Sequence, residues 1–228
     1  MTKIQVVYRC CEEDHKKSVR PPKFSKERCL RNFLDVFRYN PIKDVEVQIN
    51  AVHDGPCGLL HQTLEFLDIP IEKIDFKNNL QSLEYCLFFA AGAPESDIIY
   101  FVEDDYLHTD DALETLLEGF SLTKDSIISL YDHPDRYTRN DDVDYEKTKI
   151  VLGKKKYWRS AESTTCTWAI TSKLYERVFD VAYEYGLYDR GLFRALALRN
   201  IKLYTPMVAS STHCHMPFMS PFVNWSDL

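Results

Sequence analysis

The sequence lacks the marks of several common protein classes, and each shortage removes a reading. It has no Cys-x-x-Cys pair. The seven cysteines, Cys10, Cys11, Cys29, Cys57, Cys86, Cys166 and Cys214, are scattered and odd in number, which argues against a zinc ribbon or a disulfide framework and for reduced, mostly buried thiols. Glycine is scarce, and neither Gly-x-Gly-x-x-Gly nor the P-loop pattern occurs, so dinucleotide oxidoreduction and P-loop chemistry recede. Positive charge is not in excess. The 28 Lys and Arg against 35 Asp and Glu leave a net charge of −7, the wrong sign for a general nucleic-acid binder, whose footprint is basic. An anionic substrate would need local compensation, from a metal ion and a few arginines. No run approaches the ~18 apolar residues of a membrane span. Met1-Thr2-Lys3-Ile4 enters a strand-like run with no signal-peptide h-region, so a cytoplasmic location is expected.

What is present is a regular alternation of strand and helix patterns. At 228 residues the chain suits one domain of generous size. Ile4 to Tyr8 reads as a first strand, and Ser25 as the N-cap of a helix in which Leu30, Phe33, Leu34 and Phe37 recur at helical spacing. Val45 to Val52 alternates as a second strand and ends in the turn His53-Asp54-Gly55-Pro56. A helix from Leu59 to Leu67, a strand from Ile71 to Phe76 and a helix from Asn79 to Ala91 follow. Thr109-Asp110-Asp111 reads as a capped helix start, its acids favoured by the helix dipole. Ser126 to Leu130 is a further strand, and residues 138 to 158 an excursion or hairpin. Ser172 reads as the cap of one more helix, Asp189 opens another, and Leu203 to Val208 is a last strand. Repeated βα units before a less regular half predict an α/β sandwich whose sheet is mixed at its later strands.

The most informative stretch is Ile98-Ile99-Tyr100-Phe101-Val102-Glu103-Asp104-Asp105. An apolar run of this length is a strand buried on both faces, and its acids then fall at the carboxyl edge, where open α/β sheets hold their ligands. Strand alternation puts Glu103 and Asp105 on one face and Asp104 on the other. Two carboxylates can converge on a hard divalent ion such as Mg²⁺ or Mn²⁺. The plainer alternative is a solvated acidic turn.

The order of elements, with Asp54-Gly55 after the second strand, the acidic triplet after the fourth and Tyr188 to Pro206 (YDRGLFRALALRNIKLYTP) in the second half, resembles the nucleotide-sugar glycosyltransferases of the GT-A fold, especially family-2-like members. RPPKFSKERCL and SSTHCHMP are also similar to segments of glycosyltransferase domains of large algal viruses, which would place the protein in a host cytoplasm. The resemblance implies a single GT-A, Rossmann-like domain, α/β with a mixed, mostly parallel sheet flanked by helices. Residues 1–105 would be the nucleotide-binding half and 106–228 the acceptor-side half. It implies a metal-dependent transfer of a sugar from a nucleoside diphosphate sugar, UDP-sugar favoured, to a glycan or other acceptor hydroxyl, with inversion.

On that reading Asp105 is a direct ligand of Mn²⁺ or Mg²⁺, and Glu103, where the family's DxD hallmark has Asp, binds the ion or the donor. Asp104 assists donor binding or orients its neighbours. A late histidine completes many such sites. Thr212-His213-Cys214-His215 offers two that share a face, of which His213 is favoured. Asp54 would meet the base or ribose, and Arg9, with Arg20 after a loop closure, a phosphate. Asp189 matches the family's catalytic acid and would deprotonate the acceptor, although Tyr188 stands where relatives have Glu. Glu162 is the substitute. Asp132, His133 and Trp158, with Thr164 and Thr165, are acceptor-side candidates. Each has a plain alternative: an Asp-Gly turn, a helix N-cap, a packing histidine, an ordinary strand. A pyrophosphorylase should carry glycine in Tyr8 to Glu12, and none is there. A metal-dependent nuclease lacks a basic track, and a non-catalytic nucleotide- or carbohydrate-binding module would keep the fold without turnover.

Overall fold

The structure, a computed structural model, describes residues 1–14, 18–92, 96–123, 125–138, 148–165 and 167–227. Its first half follows the apolar spacing. Strands β1 (Thr2–Cys11), β2 (Val45–Asp54), β3 (Ile71–Ile74) and β4 (Ile98–Glu103) are parallel, with β1 between β2 and β4. Helices α1 (Lys26–Phe37), α2 (Leu59–Phe66) and α3 (Asn79–Ala91) cross between them. Ser25 caps α1 as expected, its hydroxyl accepting from the Arg28 N–H. Leu30, Phe33, Leu34 and Phe37 are fully buried, each contributing on the order of 1.5–3 kcal/mol.

β4 is buried on both faces. Ile98, Tyr100 and Val102 join Tyr8 and the α1 stripe in one core. Ile99 and Phe101 join α3 and later helices in a second.

The second half holds α4 (Ala112–Leu122), β6 (Ser126–Ile128), α5 (Asp135–Thr138), β7 (Ile150–Leu152), β8 (Tyr157–Ala161), β9 (Trp168–Thr171), α6 (Ser172–Tyr185), α7 (Asp189–Leu198) and β10 (Lys202–Met207). The sheet runs β3-β2-β1-β4-β9-β6-β10-β8-β7. β9 is antiparallel to both neighbours, β4 and β6, and so leaves β6 parallel to β4; β10 is parallel to β6. The fold is a mixed α/β domain with a mostly parallel sheet flanked by helices. Two short strands stand apart as an antiparallel ribbon, β5 (Tyr106–His108) and β11 (Ser211–His213). The Asn32 amide of α1 clamps β5 through both backbone groups of His108, at 2.7 and 2.9 Å.

Two expectations are corrected here, and the hairpin alternative for the excursion is met where residues are described. The helix start expected over Thr109-Asp110-Asp111 is that of α4, which begins at Ala112 with Asp111 in the N-cap position; the Asp111 side chain does not cap the helix but accepts from the Thr109 hydroxyl and lies 3.0 Å from Lys156 Nζ. The cap of α6 is Thr171 rather than Ser172, its hydroxyl accepting from the Leu174 N–H at 3.3 Å. The excursion ends as the β7–β8 hairpin; residues 139–147 lie outside the described residues.

Candidate active site

The acidic triplet ends β4 at the carboxyl edge, and the strand stops at Glu103, with Asp104 and Asp105 in a turn that leads into β5. Simple alternation therefore fails, and the three carboxylates point three ways. Each meets a different cation supplied by the first 26 residues of the chain.

Glu103 stands beside Arg9, its register partner on β1, and the two form an ion pair. Arg9 also donates to the Asn79 side chain at 2.8 Å, at the start of α3. Asp104 turns inward. Its Oδ2 accepts from the Cys11 N–H at 2.9 Å and lies 3.0 Å from Lys26 Nζ. Lys26 in turn donates to the carbonyls of Cys11 and Glu13. Burial, with the neighbouring Asp105 and against Lys26, pushes the Asp104 carboxyl up to about 6. Asp105 faces the ribbon. Its Oδ2 accepts from His213 Nε2 at 3.0 Å and Arg20 Nη1 at 2.9 Å. Burial would raise its pKa, but His213 and Arg20 together hold it well below the usual carboxylate range. The same carboxylate overcomes burial and raises His213.

Whether these residues suit a divalent ion can be judged from that pair. Asp105 supplies a carboxylate oxygen and His213 an imidazole nitrogen, donor types that a divalent ion takes, and the two are hydrogen-bonded to one another at 3.0 Å. The His213 ring is stacked on Tyr106 at 5.2 Å and 7°, which fixes its plane. The pair fits. Glu103 does not join it, so the three-ligand set Asp105, Glu103 and His213 is corrected: Arg9 holds Glu103 on the α3 side of the sheet. Among the described residues no three His, Cys, Asp or Glu side chains are grouped to hold a metal, and the rest of a shell would fall to water and substrate phosphates. His215, its ring 5.8 Å from that of His213, packs edge-on against Phe218.

Asp54 ends β2 at the same edge, and its Oδ1 accepts from the Phe76 and Lys77 N–H groups at 2.8 and 3.0 Å. The turn after it needs Gly55, whose φ is +96°. Asp189 is the first residue of α7, not its N-cap, which is Tyr188. Because α7 returns the chain to β10, which is parallel to β4, Asp189 lies at the carboxyl edge. Phe193, one turn on, sets its ring 6.1 Å from Trp168, which packs 4.5 Å from Phe101 of β4. Asp189 is thus on the same face of the sheet as Glu103 and Arg9.

The acceptor-side candidates divide. His133 stays on the rim: its ring packs against Tyr131 and Phe218, and its Nδ1 is 2.6 Å from Asp135. Asp132 is buried and committed to Arg159, to Arg136 at 3.6 Å and to the Tyr137 hydroxyl, so its role as an acceptor contact is corrected. Trp158 is corrected too. It is 0% exposed, in the core with α4, where a Cβ at Gly119 would meet its ring at 2.8 Å. Its indole has no face to offer a sugar. Glu162 is exposed on the turn after β8, near Thr164, which bonds Ser129, and Thr165, which bonds Tyr106.

Two residues escaped the sequence reading. Lys26 carried a signal, since a cation in a helix's first turn opposes the dipole and implies a local anion. Glu12 gave none: from the end of β1 it caps α2, accepting from the N–H groups of Gly58, Leu60 and His61 at 2.9–3.2 Å.

No protein-family model and no curated protein matches the chain. Solved structures do match. A structure of S. aureus TarS residues 1–349 aligns over 90% of this chain and 60% of its own, at 13% identity and a TM-score of 0.52. A second TarS structure covers 90% of this chain and 36% of its own, at 12% identity and 0.53. GalNAc-T7 with UDP, GalNAc and Mn²⁺ covers 92% of this chain and 43% of its own, at 9% identity and 0.61. These neighbours are glycosyltransferases, and what the chain shares with them is the GT-A-like fold. It spans between 36% and 60% of their lengths. Among the described residues no helix is long and apolar enough to cross a membrane.

Proposed function

We propose that the protein is a metal-dependent glycosyltransferase that moves a sugar from a nucleoside diphosphate sugar, with UDP-sugars favoured, to an acceptor hydroxyl with inversion. The observation that carries this reading is the pairing of Asp105 with His213 at 3.0 Å on the carboxyl edge of a GT-A-like sheet. Asp105 and His213 would hold Mn²⁺ or Mg²⁺, which would neutralise charge on the departing diphosphate. Asp54 and the turn after it would receive the base or ribose, as the Phe76 and Lys77 amides fix its carboxylate. Glu103 keeps Arg9 at the donor edge. Asp189 would take the proton from the acceptor hydroxyl as that oxygen attacks the anomeric carbon. His133 and Glu162 remain the acceptor-side contacts. Residues 1–105 would serve the donor and 106–228 the acceptor. That GalNAc-T7 was solved with UDP and Mn²⁺ agrees with the ion and the nucleotide but not with any particular sugar.

The test is calorimetric titration with UDP in Mn²⁺ and in EDTA, with GDP and ATP as controls. Tight, Mn²⁺-dependent, UDP-selective binding is expected, and binding that ignores EDTA would overturn the role of the ion. Asp189→Asn should leave UDP affinity unchanged and lower transfer by about 10²–10⁴-fold. Full turnover in that variant removes Asp189 as the base.

A further inference from the structure

The guanidinium of Arg20 bonds the same Asp105 oxygen that His213 faces, the one an ion shared between Asp105 and His213 would approach. Its Nη1 donates to Asp105 Oδ2 at 2.9 Å and to the Cys214 carbonyl at 2.8 Å. With His213 at 3.0 Å on the same oxygen, two donors already engage Oδ2. An ion entering there competes with the guanidinium for the same lone pairs and repels its charge. Arg20 has a second anchorage away from Asp105. Its Nε donates to both Asp14 oxygens at 3.0 Å, and its guanidinium carbon sits 4.3 Å over the Phe24 ring. It can leave Asp105 by pivoting and remain at the mouth of the site, its Nη1 free for a new acceptor. A diphosphate arriving with the ion brings that acceptor, and the planar fork of arginine matches phosphate oxygens.

We propose that Arg20 is an exchange residue that binds donor directly: the resting partner of Asp105, displaced by the metal ion and captured by the nucleoside diphosphate, so that its exchange couples the two binding steps. This rests on the function proposed above and goes beyond it by assigning a direction to each binding step. The ion alone binds against Arg20, and the diphosphate relieves the conflict. By linkage, UDP must then raise Mn²⁺ affinity by the same factor that Mn²⁺ raises UDP affinity.

The experiment is a binding cycle on the full chain: Mn²⁺ titration followed by the electron paramagnetic resonance of the free ion, without and with UDP, and UDP titration at saturating Mn²⁺. Arg20→Gln should bind Mn²⁺ alone about 3–10-fold more tightly, because a neighbouring positive charge is gone, and should bind UDP at saturating Mn²⁺ at least about tenfold more weakly, as a charged contact to phosphate is lost. Arg20→Lys keeps the charge and should hold Mn²⁺ affinity near wild type while losing part of the UDP affinity. Thermal melts of both variants check that they are folded, and if Arg20→Gln is not, the Arg20→Lys titrations decide. Unchanged or weaker Mn²⁺ binding in Arg20→Gln, or unchanged UDP binding in either variant, overturns the exchange and leaves Arg20 a latch between its loop and β11. A wild type that binds neither Mn²⁺ nor UDP overturns the proposed function itself, and the inference with it.

Discussion

Asp104 and Asp105 are chain neighbours with opposite surroundings. Asp104 turns into the α1 side of the sheet, against the Lys26 ammonium and the Cys11 N–H, and burial raises its pKa to about 6. Asp105 turns toward the ribbon, and despite burial two cationic partners hold it ionised. Burial alone does not separate the two acids. What differs is the partner. Lys26 is tied to two backbone carbonyls at 2.7 and 2.8 Å and has no other place to go. Arg20 is anchored elsewhere and can yield. One carboxylate closes the first loop onto the sheet; the other meets a guanidinium that is also held by Asp14 and Phe24.

The most severe way to break the comparison is Lys26→Met. It leaves Asp104 buried without its cation and strips the donors from the Cys11 and Glu13 carbonyls, so a loss of about 3–5 kcal/mol is expected, measured by urea unfolding. The loss should shrink toward pH 5 as the orphaned carboxylate takes up a proton. Arg20→Gln, at the neighbouring acid, should cost less, on the order of 1–3 kcal/mol, because His213 still faces Asp105 and the Gln amide can still donate. Equal costs would abolish the distinction.

A second contrast uses ligand binding. Asp105→Asn should remove Mn²⁺ binding in a protein that still folds, with a lowered melting temperature because the ionised partner of Arg20 and His213 is gone. His213→Ala should weaken Mn²⁺ by about tenfold or more, and His215→Ala should not change it. Loss of Mn²⁺ affinity in the His215 variant instead would reassign the second ligand.

A good part of this arrangement was legible. The apolar run ending in acids defined β4 and its edge because burial on both faces leaves no other pattern, and the α1 stripe with its Ser25 cap was equally plain. The direction of each acid was not legible, because the strand ends one residue into the triplet and a turn takes over. Nor was β9, a four-residue strand inserted antiparallel between β4 and β6: so short a segment carries little periodicity, and its place is set by tertiary contacts. The ribbon of β5 and β11, which brings His213 to Asp105, depends on the Asn32 clamp, a contact 76 residues apart in the chain. Trp158 misled because an aromatic beside Arg159 on a strand reads the same whether it lines a sugar site or fills a core.

The two aspartates also predict opposite pH effects. An acid whose pKa is higher folded than unfolded holds more protons in the native state, so its contribution falls as pH rises between about 4 and 6, as for Asp104. For Asp105, with its pKa depressed, stability is present above about pH 4 and is lost as pH falls below it. Replacing Asp104 with Asn should therefore shift the stability difference from wild type in the variant's favour, by on the order of 1–3 kcal/mol, between pH 4 and 7. A difference independent of pH would mean that Asp104 titrates normally.

The smallest expected effect is at Glu12, which sharpens the comparison because its carboxylate is met chiefly by amides. Gly58, Leu60 and His61 donate backbone N–H groups from the start of α2, and His53 lies 3.1 Å away. Burial would raise Glu12, but these donors lower it. Its contribution is then complete above the unfolded pKa of about 4.3 and is lost as pH falls through the lower folded value. Glu12→Gln keeps one oxygen to accept and removes the charge, so about 1 kcal/mol should be lost at pH 7. That difference should narrow toward pH 3, as wild-type Glu12 is itself protonated. Salt separates it from the pairs at the triplet: short bonds to helix amides inside the first turn should respond less to ionic strength than the Arg20–Asp14 contact, whose acid is 42% exposed. An Arg20→Gln cost that fades with salt beside a Glu12→Gln cost that persists is the pattern this difference in partners requires.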